Sequence, residues 1–258
     1  MALILQYLPA LLLVFCRITS FFVVAPIFSA KNVPVQFKIG LAFFVSLLAF
    51  STIDQTTIQM DNMYIISIVK EFLVGLLLGF VAYLFFVIVQ ISGSFVDMQI
   101  GFSLANIIDP MTGSQSPIIG NFKFILATLL FLTFNGHHLL LQAIMDSYQW
   151  VPLSSDVFIH IYNGQVSEFL LKTFTVVFEL AFQMAAPMIA ALFLVDVGLG
   201  ILARTAPQFN IFVIGVPIKI IVGLLLLFIL LPSFIVLFAN LFSSMFDSMQ
   251  KLVDFLGG

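Results

Sequence analysis

Six apolar runs, at about 2–28, 39–53, 64–91, 118–145, 169–203 and 209–242, take up most of this 258-residue chain. Most of them reach the roughly 20 residues that an α-helix needs to cross the hydrocarbon of a bilayer. Hydrophobic residues make up 62% of the chain and charged residues 8%, against roughly 45–50% and about 25% in ordinary globular domains. A soluble core of this size would need a polar exterior, and the residues for one are missing. With 32 Phe and a mean hydropathy of +1.22, the helices are apolar on most faces, which places them in lipid or inside a large apolar assembly. The sequence predicts an all-α integral membrane protein.

The run at 39–53 is short. At about 1.5 Å per residue it barely crosses the hydrocarbon, which weakens a simple picture of six spans. Lys31 and Lys38 follow the first run, whereas the connection 51–63 carries Asp54 and Asp61 with no base. The positive-inside rule puts 31–38 in the cytoplasm. Alternation from there puts Lys123 and Arg204 inside, and the acidic stretch 146–165 and both termini outside. The N-terminus lacks the basic n-region of a secretory signal, and its apolar run continues past Arg17, so it reads as a retained membrane segment.

The net charge is -3, and the nine basic residues are scattered. No patch neutralises several phosphates, so nucleic acid is not an expected partner. The lone Cys16 forms no intramolecular disulfide.

Polar residues inside apolar runs constrain the packing. Gln90, Gly93, Ser94, Asp97 and Gly101 recur at three or four and notch one helix face. Glycines one turn either side of Asp97 permit close approach of another helix. This face is either a helix contact with a hydrogen-bonded carboxylate or the lining of an aqueous path. A second stripe holds Glu168, Lys172, Thr175, Glu179 and Gln183, and Asp196, Gly200 and Arg204 continue the polarity on another face. Each such charge in an apolar helix costs roughly 3 kcal/mol unless it meets water or a partner. Arg17, in the middle of the first run, makes the same demand. Gly75 with Gly79, and Ala186 with Ala190, are small-xxx-small pairs suited to tight packing. Pro187 and Pro217 predict kinks in long helical hairpins. At the end of the chain, Phe242, Met245, Phe246, Met249, Leu252, Val253 and Leu256 form the apolar face of an amphipathic helix, opposite Ser243, Asp247, Gln250, Lys251 and Asp254. That face suits a membrane interface or a partner.

His137 and His138 are the one cluster that hints at chemistry. Adjacent histidines diverge by about 100° on a helix and chelate one metal poorly. No phosphate loop, nucleophile elbow, zincin helix or dinucleotide fingerprint is present, so neither an enzyme nor a cofactor is expected.

Four stretches carry a resemblance: "CRITSFFVVAPIFS", "VDMQIGFSLANIIDPMTGSQSP", "NGHHLLLQAIMDSY" followed by Trp150-Val151-Pro152, and "ARTAPQFNIFVIGVPIKI". Together, and in this order over essentially the whole chain, they resemble the FliR family of flagellar type III export-gate membrane proteins and its injectisome relatives. "MTGSQSP" is more similar to the flagellar branch. The resemblance implies a membrane-anchored helical assembly with FliP-like and FliQ-like subunits and an FlhB-like protein outside it. Unfolded protein substrates would be exported through its centre. It also implies a FliP-like part at 1–164, a FliQ-like hairpin at 165–258, and hairpins raised out of the bilayer plane, so hydropathy need not count true spans. The implied site is the inner membrane at the flagellar basal body. Arg17, Asp97, Glu168, Lys172, Glu179, Asp196, Arg204 and Lys219 become helix or partner contacts.

In such proteins the stretch matching 104–121 projects into the channel and helps to plug it. Pro110, Gly113 and Pro117 break helix, Ser114, Gln115 and Ser116 tolerate water, and Leu104, Ile107, Ile108 and Met111 supply apolar contact. An ordinary surface turn is the alternative for this stretch. For the whole chain the rival is a secondary transporter of a small solute, suggested by kinked helices and by Arg17, Glu179 and Asp196 inside apolar runs.

Overall fold

The computed structural model describes residues 2–53, 62–102, 117–155, 157–208 and 210–257. Among them are eight α-helices and no strand: α1 (Ala2–Val24), α2 (Val35–Thr52), α3 (Asn62–Ile100), α4 (Ile118–Thr133), α5 (Gly136–Trp150), α6 (Val157–Tyr162), α7 (Gln165–Thr205) and α8 (Ile211–Gly257). The fold is all-α. Five helices are long and apolar enough to cross a membrane, and six spans result if α4 and α5 together count as one.

The apolar run 118–145 is not a single helix. α4 and α5 meet at 71° across residues 134–135. Asn135 takes the left-handed conformation there, with φ 55°, a region that Asn visits more readily than most L-residues. Conversely, α3, α7 and α8 run for 39, 41 and 47 residues. At 1.5 Å per residue these are about 60–70 Å long, twice the roughly 30 Å of a hydrocarbon core. Pro187, Pro217 and Pro232 each remove an i→i−4 hydrogen bond, yet none of them divides its helix.

The chain packs as two compact units interleaved in sequence. One comprises residues 1–85, 132–174 and 242–258, the other residues 86–131 and 175–241.

In the first unit, α1 lies against α3 along the glycine pair. A Cβ on Gly75 would collide with the Arg17 carbonyl and the Ser20 hydroxyl, and one on Gly79 would come within 2.9 Å of the Phe21 carbonyl oxygen. Beside this seam Leu13, Ile18 and Phe21 of α1 and Val74 and Leu78 of α3 are wholly buried. The amphipathic end of the chain closes the same unit as the last four turns of α8. Met245, Met249, Leu252, Val253 and Leu256 are buried, while Ser243, Asp247, Gln250, Lys251 and Asp254 are exposed. Phe255 reaches the Phe169 ring at 5.6 Å, and Gly257 sits so close to the Trp150 carbonyl that a side chain would not fit. The apolar face is therefore covered by the chain itself, neither by a membrane surface nor by a partner.

In the second unit Phe86 of α3 packs edge-on against Phe131 and Phe124 of α4, at 5.2 and 6.0 Å. α7 contributes Ala181, Ala185, Met188 and Leu192, all buried. The small pair Ala186 and Ala190 lies off this stripe, with Ala190 exposed. The buried share of the most apolar window is 61% in α3 but 17% in α7 and 11% in α8. Within those windows α7 and α8 thus leave most of their residues unburied, open to lipid or to other proteins.

The seam between α1 and α3 predicts an asymmetry among glycines. Gly75→Val should cost on the order of 1–3 kcal/mol through overpacking, lowering the thermal midpoint of the protein in detergent. Gly198→Ala, at a helical glycine with open space around it, should not lower that midpoint and should raise it slightly, since alanine is the better helix former by about 1 kcal/mol.

Candidate functional site: charged groups within the apolar helices

Arg17 is completely buried, and its partners come from α3, α5 and the turn that follows α5. Its Nε donates to Glu71 Oε2 at 2.5 Å and its Nη2 to Glu71 Oε1 at 3.0 Å, a side-on bidentate pair from α1 to α3. Nη1 donates to the Ser147 hydroxyl at 3.1 Å, and Nη2 also to the Val151 carbonyl at 2.8 Å. The guanidinium carbon stands 4.0 Å from the centre of the Tyr148 ring, a cation–π contact. Next to this pair, Lys70 donates to the carbonyls of Leu153 at 2.6 Å, Ser155 at 3.2 Å and Pro152 at 3.4 Å, and lies 3.2 Å from Glu71 Oε1.

Two cations thus share one carboxylate, and carbonyls at the end of α5 and in the turn after it provide the remaining acceptors. That end of a helix carries partial negative charge and favours cations. The cluster joins α1, α3, α5 and the turn 151–155 around three buried charged side chains. Sequence reasoning identified Arg17 as needing a partner and missed Glu71 and Lys70. The signal was there: "VKEF" at 69–72 interrupts the apolar run 64–91 as sharply as Arg17 interrupts the first.

A second set of contacts gathers at the last turn of α3, in the second unit. The Asp97 carboxylate accepts the N–H of Ile119 at 3.0 and 3.1 Å and the N–H of Gly120 at 3.1 Å. Those groups belong to the first turn of α4, where backbone donors lack helical acceptors and negative charge is favoured. Gly93 permits the approach: a Cβ there would run into the Gly120 backbone. One turn into α4, the buried Lys123 donates to the Ser92 hydroxyl at 3.0 Å and stands 4.4 Å from the Phe234 ring centre. Lys123 is therefore an interior group and no guide to orientation.

Gln99 donates to Asp196 Oδ2 at 2.8 Å, and Lys219 sits 2.9 Å from Asp196 Oδ1 and 3.1 Å from Oδ2. These three tie α3, α7 and α8 together. Ile100 is wedged against Gly223 of α8, where a Cβ would lie 2.6 Å from its Cδ1. Residues 97, 99 and 100 thus reach α4, α7 and α8. The notched face of α3 is a helix contact with a hydrogen-bonded carboxylate.

The other charges on α7 face outward. Lys172 pairs with Glu168 at 2.6 Å in the i,i+4 arrangement, with both side chains more than two-thirds exposed; in water such a pair contributes little. Glu179 accepts from Gln183 at 3.0 Å, also exposed, and Arg204 is exposed in the last turn of the helix. The His137 and His138 rings lie 4.4 Å apart, closer than their sequence adjacency on a helix suggests. Among the described residues no group of three His, Cys, Asp or Glu side chains is placed to hold a metal. Of the residues assigned to the channel, Leu104, Ile107, Ile108, Pro110, Met111 and Gly113 lie outside the described residues. Pro117 is described: its carbonyl accepts the Asn121 N–H at 2.9 Å, and its ring packs beneath Gly120.

Glu71→Ala should cost about 3–5 kcal/mol, because it strands a buried guanidinium beside a buried ammonium. The double variant Glu71→Ala with Arg17→Met should recover a large part of that loss. Thermal unfolding of the detergent-solubilised protein measures both. Equal stability of Glu71→Ala and wild type would contradict the pairing.

The family described as bacterial export proteins, family 1, matches residues 8–245. The flagellar biosynthetic protein FliR of Bacillus subtilis is 45% identical over 255 residues, 98% of each chain. The flagellar biosynthetic protein FliR of Escherichia coli is 31% identical over 217 residues, 84% of this chain and 82% of that one. The Yop proteins translocation protein T of Yersinia pestis is 31% identical over 218 residues, 83% of this chain and 82% of that one. The chain therefore belongs to family 1 of the bacterial export proteins, the family of the flagellar FliR proteins and their Yop-translocation relatives.

Proposed function

We propose that the chain is a structural component of the flagellar type III export gate, which forms the channel for unfolded flagellar substrates together with FliP-like and FliQ-like subunits. An FlhB-like protein associates from outside, and the assembly sits in the bacterial inner membrane at the flagellar basal body. The observation that carries this reading is the 45% identity to a flagellar FliR over 98% of both chains. In this reading residues 1–164 are the FliP-like part and 165–258 the FliQ-like hairpin, a division by likeness of sequence that is distinct from the packing into two interleaved units. The chain is a conduit and performs no chemistry.

The distribution of charge supports a partner-bound state. Arg17 and Asp196, two of the three groups that suggested a solute transporter, have their partners within the chain. Glu168, Lys172, Glu179 and Gln183 instead stand exposed on a helix whose apolar face is also exposed. Lipid does not satisfy them, since a charge there costs roughly 3 kcal/mol. Neighbouring subunits or water do.

Two outcomes test the proposal. The chain produced alone should aggregate or be lost, and production together with FliP-like and FliQ-like subunits should rescue it as a stable complex recovered from detergent. A monodisperse chain that carries a saturable solute flux without partners would overturn the reading. The second outcome concerns 104–121. If this segment closes the channel by apolar contact, deleting 110–116, or replacing Ile107, Ile108 and Met111 with Ser, should make the assembled complex leak small ions or an impermeant dye. Wild-type tightness in both variants, with assembly intact, would place the barrier in another subunit.

A further inference from the structure

Four backbone N–H groups converge on Asp97. Its main-chain carbonyl accepts from Gly101 at 3.1 Å and Phe102 at 3.0 Å, at the end of α3. Its carboxylate accepts from Ile119 and Gly120, at the start of α4. Residues 102 and 117 are the described residues on either side of 103–116. One side chain and its own peptide carbonyl therefore hold the segment that leads out of α3 and the segment that leads into α4.

The surroundings make this position stiff. Gly101, at φ 101°, ends α3 in a conformation that residues with a Cβ avoid. Gly93 and Gly120 bring the two backbones into direct contact one turn away. Gln99 and Ile100 hold the same turn of α3 against α7 and α8. A carboxylate suits this place because it is an acceptor at both oxygens, and both Oδ1 and Oδ2 are used. Asparagine retains one acceptor oxygen; with that oxygen in the Oδ2 place, its N–H₂ group faces the Ile119 N–H, so the substitution weakens the contact without abolishing it. Alanine leaves the two α4 donors unanswered in a buried setting, where an unmet donor is costly.

We infer that Asp97 is a positioning residue that pins the two ends of the connection 103–116 to one point on α3. This goes beyond the gate reading, because it concerns residues 97–102 and 117–120 and holds whether or not the intervening segment closes a channel.

The test uses the full chain co-produced with its partner subunits and carrying Cys16→Ser, Met98→Cys and Ile118→Cys. Positions 98 and 118 are both exposed, at 64% and 59%, and so accept spin labels. The distance distribution between the labels should be single and narrow with Asp97 present. Asp97→Ala should at least double its width, and Asp97→Asn should fall between the two. Ser94→Ala, on the same face of α3, should give the narrow distribution of the parent. A wild-type distribution in both Asp97→Ala and Asp97→Asn would overturn the inference, with the glycine contact then sufficient by itself; if Asp97→Ala does not accumulate, Asp97→Asn alone decides. Dye leakage in the same strains separates this inference from the gate reading. Ends that part while the membrane stays tight uphold the positioning role and count against closure by 104–121. Ends that stay together overturn the positioning role whatever the leakage.

Discussion

A charge enclosed among apolar helices must find its counter-charge and its hydrogen bonds within the protein, and the first unit is organised around that demand. Arg17 and Glu71 are wholly buried and Lys70 nearly so, so each would carry a desolvation cost of several kcal/mol if left alone. The bidentate Arg17–Glu71 pair fixes α1 on α3 in one register. The same register seats the Arg17 carbonyl on Gly75, a place with no room for a side chain. The carbonyls taken by Arg17 and Lys70 belong to residues 151–155, which fixes the end of α5 as well. Dispersion among Leu and Phe side chains tolerates many arrangements; this hydrogen-bond set tolerates one.

The second unit meets a related demand with a different device. Here polar groups gather at a single helical turn, and each binds a different neighbour: Asp97 the start of α4, Gln99 the Asp196–Lys219 pair of α7 and α8. The turn is the junction of four helices and also the place from which 103–116 departs. Around it the charges fall into two classes. Those with partners on other helices hold the helices to one another, whereas Glu168, Lys172 and Glu179 on α7 are exposed and bond to their i,i+4 neighbours. A division of this kind suits a subunit whose interior is complete and whose surface is finished by other proteins.

Several features were legible from residue types alone. Glycines at 75 and 79 and at 93 indicated close helix approach, and Arg17 and Asp97 indicated buried polar contacts, because the cost of an isolated polar group or of a filled notch is local. Other features were legible only in part. The apolar face of 242–256 was evident from its period, yet its partner turned out to be the chain itself, since amphipathicity states that a face is covered and not by what. Alternation of charge placed Lys123 on the cytoplasmic side, while in the fold it is an interior group of α4 bonded to Ser92. Lys70 and Glu71 went unread although their setting was as apolar as that of Arg17. The pairing that explains all three spans 54 residues between α1 and α3 and 134 between Arg17 and Val151.

What the sequence determined by itself is the chemistry of the solvent this chain lives in: apolar runs too long and too continuous for a soluble core make helices, and charges inside them must be answered. It also carried the likeness that assigns the family. Only the tertiary structure decided which partner answers which charge, where the run 118–145 bends, and which apolar faces close within the chain and which stay open. The reason is physical. Hydrophobic transfer depends on composition and period, which are local and can be read along the chain. A buried hydrogen bond depends on two groups meeting within about 3 Å at the right angle, and that depends on the crossing of helices far apart in sequence.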